Sequence, residues 1–117
     1  MTLRFVWERS FERDWRALGF DAEDLRALEI EILRNPKRWP VIKGCNGVRK
    51  LRFARPGAGK SGGCRVCYVH FERWNTACVL IVYPKNVRED LTPDDRRTIA
   101  AIVAEIETSL ERMEKRR

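Results

Sequence analysis

Four basic residues are spaced so that folding can bring them together. Lys50 and Arg52 lie two residues apart in an alternating segment, so both side chains point to the same face of a strand. Arg65 begins the next apolar segment, and Lys85 follows the last one. If these segments are antiparallel neighbours, the four side chains converge at one end of a sheet. Lysine and arginine gathered in this way bind phosphate oxygens, so the sequence predicts a phosphate-binding cavity.

Three of these residues lie in a window without carboxylates, Ile32 to Phe71. Ten of the chain's 24 Lys and Arg residues fall in this window, whereas all 17 Asp and Glu residues fall outside it. The net charge of the whole chain is +7. Because a solvated surface normally mixes both signs of charge, this segregation predicts a polyanionic partner. Nucleic acid is the first candidate and an anionic membrane surface the second.

Other kinds of chemistry find little support. The Gly-rich segment around Lys60 lacks the spacing of a nucleotide-binding P-loop and leads into a strand instead of a helix. Cys64 and Cys67 are three residues apart on a predicted strand, so they face opposite sides and cannot ligate one metal ion. His70 is the only histidine and has no spaced catalytic partner, so we interpret it as structural. We predict neither a cofactor nor a metal.

The elements that must position the basic residues begin with a strand, residues 3–7, and two helices. Ser10 and Asp21 are N-cap residues, and the Asn35-Pro36 pair ends the second helix. Apolar residues recur on one face of each helix. These features predict an N-terminal helical hairpin.

The second half of the chain predicts a small, mostly antiparallel sheet followed by a helix. Alternation of apolar and polar residues places strands at 48–54, 65–71 and 75–83. Thr92 then caps a C-terminal helix that carries an apolar stripe. The order β-α-α-β-β-β-α predicts one α+β domain over residues 1–117.

Neither membrane nor secretory segments are evident. The longest uninterrupted apolar run, residues 77–84, is far shorter than the ~20 residues of a membrane-spanning helix. The N-terminal residues lack the apolar core of a signal peptide. We therefore expect a soluble, cytoplasmic protein whose four cysteines are free thiols.

Three segments carry a family resemblance. They read G-C-N-G-V-R-K-L-R-F over residues 44–53, G-K-S-G-G-C-R-V-C-Y over 59–68, and Y-P-K-N-V-R-E-D-L-T over 83–92. Together they resemble the RelE superfamily, most closely the HigB/RelE-type toxins of bacterial type II toxin–antitoxin modules, and the resemblance extends to the order of elements. It implies a RelE-like fold and a ribosome-dependent mRNA endonuclease that cleaves mRNA in the ribosomal A site and inhibits translation.

The resemblance also implies which residues act. Lys50 and Arg52 match the family's paired basic strand positions, Arg65 the basic residue at the start of the following strand, and Lys85 the one after the last strand. We predict that Lys50 is a base or proton shuttle and that Arg52 and Arg65 stabilise phosphorane charge. Lys85 is predicted to be an acid or a phosphate contact. The expected reaction is metal-independent cleavage of RNA through attack by the 2′-hydroxyl.

Further residues are predicted to hold RNA, and the resemblance implies further partners. The predicted RNA-binding residues are Arg49, Arg55, Lys60, Tyr83, Arg34, Lys37 and Arg38. The implied partners are mRNA, the ribosome with its ribosomal RNA, and a cognate antitoxin with a helix-turn-helix domain. We expect operator DNA to be contacted only through that antitoxin.

Two alternatives remain open. A catalytically inactive RNA-binding or regulatory protein with the same fold needs the basic window but no convergent Lys/Arg cavity. A membrane-surface protein is the third interpretation, although the sequence has no long basic amphipathic helix to support it.

Overall fold

The computed structural model describes residues 2–55, 63–85 and 91–116. Two of the helices precede a run of three strands, and a third helix ends the fold. The elements are β1 (Arg4–Trp7), α1 (Phe11–Ala17), α2 (Ala22–Arg34), β2 (Arg49–Phe53), β3 (Cys64–Phe71), β4 (Thr76–Pro84) and α3 (Pro93–Lys115), with a 3₁₀ turn at Glu72–Trp74. This order confirms the predicted α+β fold, and each predicted strand boundary lies within one residue of the observed one.

The sheet has the strand order β1-β4-β3-β2. β1 pairs with β4 in parallel, whereas β2–β3 and β3–β4 are antiparallel. β3 is therefore a central strand, as its apolar residues predicted, and β2 lies at an edge of the described sheet. The prediction of a mostly antiparallel sheet is confirmed.

Two hydrophobic clusters sandwich the sheet. The first packs α1 and α2 on one face and includes Trp15, Leu28 and Leu51. The second packs α3 on the other face through Ile99 and Val103. Because side chains alternate along a strand, Leu51 points into the first cluster while its neighbours Lys50 and Arg52 point to the face of α3.

Side-chain caps set the starts of two helices. Asp21 and Asp24 form a reciprocal capping box at α2, and Thr92 and Asp95 form another at α3. Each box satisfies backbone N–H groups that the first turn of a helix leaves unpaired. Ser10 occupies the predicted N-cap position of α1, but its side chain makes no capping hydrogen bond.

The last turns of α3 are tied to the turn after β3. Glu114 accepts hydrogen bonds from the guanidinium of Arg73 at 2.6 Å and from Nε1 of Trp74 at 2.5 Å.

The apolar stripe of α3 occupies only one side of the helix. Across residues 2–55, 63–85 and 91–116, no helix combines the length and apolar character that crossing a membrane requires.

Candidate active site

Strand register places three predicted site residues in one row across the sheet. Arg52 of β2 lies directly opposite Arg65 of β3, and Arg65 lies opposite Tyr83 of β4. Directly opposed residues in antiparallel strands share a face, with Cβ atoms about 4.5–5.5 Å apart. The two arginine side chains therefore emerge side by side on the face that also carries α3.

A cavity of about 350 Å³ opens at this end of the sheet. Six described residues from the ends of β2, β3 and β4 line it. They are Arg52, Phe53, Ala54, Gly63, Arg65 and Lys85. The backbone N–H of Lys85 lies 3.5 Å from the carbonyl oxygen of Gly63, which holds the residue after β4 next to the residue before β3. The predicted convergence of Arg52, Arg65 and Lys85 thus takes the form of one cavity.

The cavity is strongly cationic. Three of the six described lining residues are basic and none is acidic. The Arg65 side chain is nearly buried, at 8% exposure, and makes no hydrogen bond or ion pair with any carboxylate that the structure describes. Like charges directly opposite each other destabilise a sheet, and a buried cation without a counterion is unfavourable. An anion with several oxygens relieves both penalties at once.

Lys50 lies one step farther from the cavity. It is opposite Cys67, on the same face as Arg52 but about 7 Å along the strand. It is half-buried and is not among the residues that line the cavity. The structure therefore brings together three of the four predicted catalytic residues and leaves Lys50 beside them.

Tyr83 occupies an unexpected environment for a residue predicted to stack on a base. Its side chain is 7% exposed and packs in the second hydrophobic cluster. The Tyr83 side chain acts to lower the pKa of the Cys67 thiol, against the larger opposing effect of burial. The ring therefore contributes to the core directly beneath the site, and base stacking by Tyr83 stays a prediction.

Another group of predicted RNA-binding residues lies at the opposite end of the sheet, and we call it the distal basic group. Its members are Arg34, Lys37, Arg38 and Arg49. Arg49 is four residues from Phe53 along β2, or about 13 Å, and pairs with Tyr68. The guanidinium of Arg49 donates to the carbonyl oxygens of Lys37 and Trp39 at 3.0 and 2.7 Å.

Carboxylates partly neutralise this distal basic group. Lys37 pairs with Glu72 at 2.9 Å, and Arg38 pairs with Glu31 at 2.9 Å. Arg34 is exposed. Folding thus brings Glu31 and Glu72, which lie outside the acid-free window, to the distal basic group. It brings no carboxylate to the described lining of the cavity.

Arg55, also predicted to contact RNA, is paired with a buried carboxylate. Its guanidinium binds Asp24 of α2 at 2.7 Å, and Asp24 is only 5% exposed. Hydrogen bonds from Arg55 lower the pKa of Asp24 to about 2 against the opposing effect of burial. Lys60 lies outside the described residues.

Sequence reasoning missed two kinds of residue. Phe53, Ala54 and Gly63 line the cavity, but nothing in their types distinguishes them from ordinary strand residues. Asp24 lies in the first turn of α2, where an acidic residue complements the helix dipole. The Asp21-x-x-Asp24 spacing could have predicted the capping box, whereas its pairing with Arg55, 31 residues away, has no local signal.

The remaining reactive groups are structural in character. Cys64 lies in the first cluster and Cys67 in the second, so they face opposite sides of the sheet as predicted. Burial lowers the pKa of His70, while nearby Glu72 acts in the opposite direction. Within the described part of the chain, no three His, Cys, Asp or Glu side chains are grouped so as to hold a metal ion.

The four thiols should be inert in the native protein. All are buried, and burial raises the pKa of Cys64 and of Cys67 to about 12 and that of Cys78 to about 11; it also raises the pKa of Cys45. Because the thiolate is the reactive form, we expect no rapid reaction with a disulfide reagent at pH 8 and reaction of all four thiols in denaturant. One fast-reacting thiol in the native protein would contradict this.

This arrangement of helices and strands is also found among solved structures. A double arginine-to-alanine mutant of the E. coli toxin RelE in the free state matches with a TM-score of 0.54 and 17% identity, covering 76% of this chain and 90% of that one. A chain of the intact E. coli RelBE toxin–antitoxin complex matches with a TM-score of 0.53 and 17% identity over 69% and 94%.

The isolated E. coli RelE toxin matches with a TM-score of 0.51 and 13% identity, over 86% of this chain and 99% of that one. No family model matches the sequence. The chain therefore has a RelE-like fold, as the sequence motifs predicted. At these identities the similarity defines the fold and leaves the activity to be argued from the site.

Proposed function

We propose that this protein is the toxin of a type II toxin–antitoxin module and acts as a ribosome-dependent endoribonuclease that cleaves mRNA in the ribosomal A site and inhibits translation. The observation that carries the proposal is the cavity lined by Arg52, Arg65 and Lys85, with no acidic residue among its described lining. The RelE-like fold supports it, because the solved relatives are described as toxins.

The proposed chemistry follows from these residue types. The 2′-oxygen attacks the adjacent phosphorus, the bond from phosphorus to the 5′-oxygen breaks, and one proton moves from the 2′-hydroxyl to the leaving oxygen. Arg52 and Arg65 stabilise the extra negative charge on the phosphorane. Arginine stays protonated in proteins, so proton transfer is assigned to the lysines. Lys85 lines the cavity, and Lys50 lies beside it on the same face.

Dependence on the ribosome has a physical reason in this proposal. Lysine is a weak general base at neutral pH, and acid–base catalysis supplies only about 10²–10⁴-fold in rate. Correct orientation of the attacking group can contribute about 7–11 kcal/mol. We propose that the ribosome supplies that orientation and that the distal basic group contacts ribosomal or messenger RNA.

The proposed partners follow from the same assignment. A cognate antitoxin, with a helix-turn-helix domain that alone contacts operator DNA, would silence the toxin. The solved RelBE toxin–antitoxin complex, which includes a chain similar in fold, supports an antitoxin partner. We propose a cytoplasmic location, where mRNA and ribosomes are found.

Induced expression in bacteria tests the proposal. We expect growth arrest with the unchanged protein and relief of arrest with the double variant Lys50→Ala/Arg52→Ala. Mapping of mRNA 5′ ends should show new ends within codons that disappear in the same variant. The matched control is Arg16→Ala, an exposed arginine on α1 whose partner is Glu12. Arrest that persists in the double variant would count against a nuclease.

A catalytically inactive RNA-binding protein is the second candidate. It is favoured by the position of Lys50 outside the cavity, because the described lining then holds only one lysine for proton transfer. This candidate predicts RNA binding that weakens in Arg52→Ala, with no new mRNA ends upon expression of the unchanged protein.

A further inference from the structure

Arg55 makes a dense set of contacts immediately after β2. Its Nε lies 3.1 Å from both carboxylate oxygens of Asp24, and its Nη2 lies 2.7 Å from Oδ2. The same Nη2 donates to the carbonyl oxygen of Gly19 at 2.7 Å. A guanidinium that grips a carboxylate at two positions is held in orientation as well as in distance. Arg55 therefore ties the end of β2 to the corner between α1 and α2.

The corner that receives Arg55 is itself well fixed. Asp24 accepts a hydrogen bond from the backbone N–H of Asp21 at 2.9 Å as part of the capping box. Nε1 of Trp15 donates to the carbonyl oxygen of Asp21 at 3.1 Å. The Arg55 guanidinium also lies 5.5 Å from the centre of the Phe20 ring. Helix cap, buried indole and guanidinium thus form one connected unit.

This corner continues into the wall of the cavity. The ring of Phe53 lies 5.1 Å from that of Trp15 and 5.5 Å from that of Phe20, between ring centres. Phe53 and Ala54 line the cavity, with Arg52 directly before them. Displacement of Arg55 would therefore move the end of β2, which lines the cavity and carries the Arg52 side chain.

The end of β2 also needs an anchor. In the described sheet β3 is the partner strand on one side of β2. On the other side, Val41 and Pro40 pair with Arg49 and Lys50 at the start of β2, and no described residue pairs with its end. One pair before this end, Arg52 lies opposite Arg65, and two like charges in this position repel each other. Without a restraint, this repulsion favours separation of the strand end that carries half of the phosphate site.

We propose that Arg55 is a positioning residue: by gripping Asp24 and the Gly19 carbonyl, it holds the end of β2 so that Arg52 stays beside Arg65 in the cavity. Its charge is directed to α2 and not to RNA, in contrast to the RNA contact that its sequence position predicts. The catalytic part of this inference rests on the proposed nuclease function. The part that concerns RNA binding does not depend on cleavage.

The test exploits the opposite charges of the two partners. If Arg55 positions Arg52, Arg55→Ala and Asp24→Ala should impair the site in the same direction, and the double variant should be no worse than either single variant. On programmed ribosomes we expect kcat to fall about 10-fold or more with little change in KM, because misplacing a catalytic group slows chemistry. If Arg55 contacts RNA directly, Arg55→Ala should raise KM, whereas Asp24→Ala should leave it unchanged or lower it.

The salt dependence of binding to a short single-stranded RNA, measured by fluorescence anisotropy, is the second measurement. Loss of a phosphate contact reduces the logarithmic salt slope by about 0.7. We expect that reduction for Arg52→Ala but not for the control Arg16→Ala, and we expect Arg55→Ala and Asp24→Ala to have the same slope, because each removes the same anchor. A slope that is reduced in Arg55→Ala but unchanged in Asp24→Ala would overturn the proposal.

Circular dichroism and the conservative variant Arg55→Lys keep failure of the nuclease proposal, loss of folding and loss of positioning distinguishable. If the unchanged protein binds RNA but does not cleave it, the nuclease proposal fails, while the salt slopes still decide the role of Arg55. Circular dichroism establishes that each variant is folded. Should Arg55→Ala be unfolded, Arg55→Lys preserves the charge but not the two-point grip. It should then show the lowered kcat and the same salt slope as Asp24→Ala, and normal kcat in this variant would contradict positioning.

Discussion

Replacement of Arg65 with alanine should lower the rate of RNA cleavage by about 10²–10³-fold, the usual effect of removing one preorganised group that stabilises developing charge. Arg65 is the most deeply placed cation of the cavity, at 8% exposure, and lies between Arg52 and Tyr83 in the cross-strand row. In such a site, with little water to screen it, a guanidinium acts strongly on a phosphorane. Single-turnover cleavage on programmed ribosomes measures the effect.

Arg65→Lys separates charge from geometry in the same assay. Lysine keeps the positive charge but lacks the planar fork that binds two phosphate oxygens, so we expect it to recover only part of the lost rate. Arg16→Ala should cleave at the normal rate. If Arg65→Ala cleaved RNA as fast as the unchanged protein, the cavity could not be the active site.

Replacement of Trp15 with alanine should lower the free energy of unfolding by about 3–5 kcal/mol, as for other large aromatic residues in cores. Trp15 is 1% exposed, and its ring centre lies 5.6 Å from that of Phe11, 4.5 Å from that of Phe20 and 5.1 Å from that of Phe53. The substitution removes these contacts and the hydrogen bond to Asp21. Since small domains have only about 5–15 kcal/mol of stability, the variant should be close to unfolding.

Urea denaturation followed by circular dichroism measures this change. Leu33→Ala is the matched control, because Leu33 is a large apolar residue at 40% exposure on the outer side of α2, and its loss should have an effect below about 1 kcal/mol. A loss in Trp15→Ala as small as that in Leu33→Ala would show that the aromatic cluster does not hold the helical hairpin on the sheet.

Much of the fold could be predicted because its signals are local. The strand that carries Leu51 and Phe53 shows the alternation of a half-buried strand, and both residues are buried as expected. Asp21 and Thr92 begin the helices that they were predicted to cap. The bond from a cap to the backbone spans only three residues, so it depends on almost nothing beyond its neighbours.

The candidate site was predictable in part. Alternation alone places Lys50 and Arg52 on one face, but only strand register decides that Arg52, and not Lys50, lies opposite Arg65. A shift of one residue in that pairing would have given a different cavity. The prediction was correct for the convergence of Arg52, Arg65 and Lys85, and it placed Lys50 nearer the cavity than the structure does.

Periodicity, capping and composition depend on neighbouring residues. The α+β class, the order of elements and the separation of basic from acidic residues along the chain could therefore be predicted without the structure. Which basic side chains lack a carboxylate partner depends instead on the packing of the folded chain. Arg55 is matched by Asp24 from α2 and Lys37 by Glu72 from beyond β3, whereas Arg65 has no such partner among the described residues. The reason is that ion pairing depends on distance in space, and residues far apart in sequence become neighbours only when the sheet and helices pack.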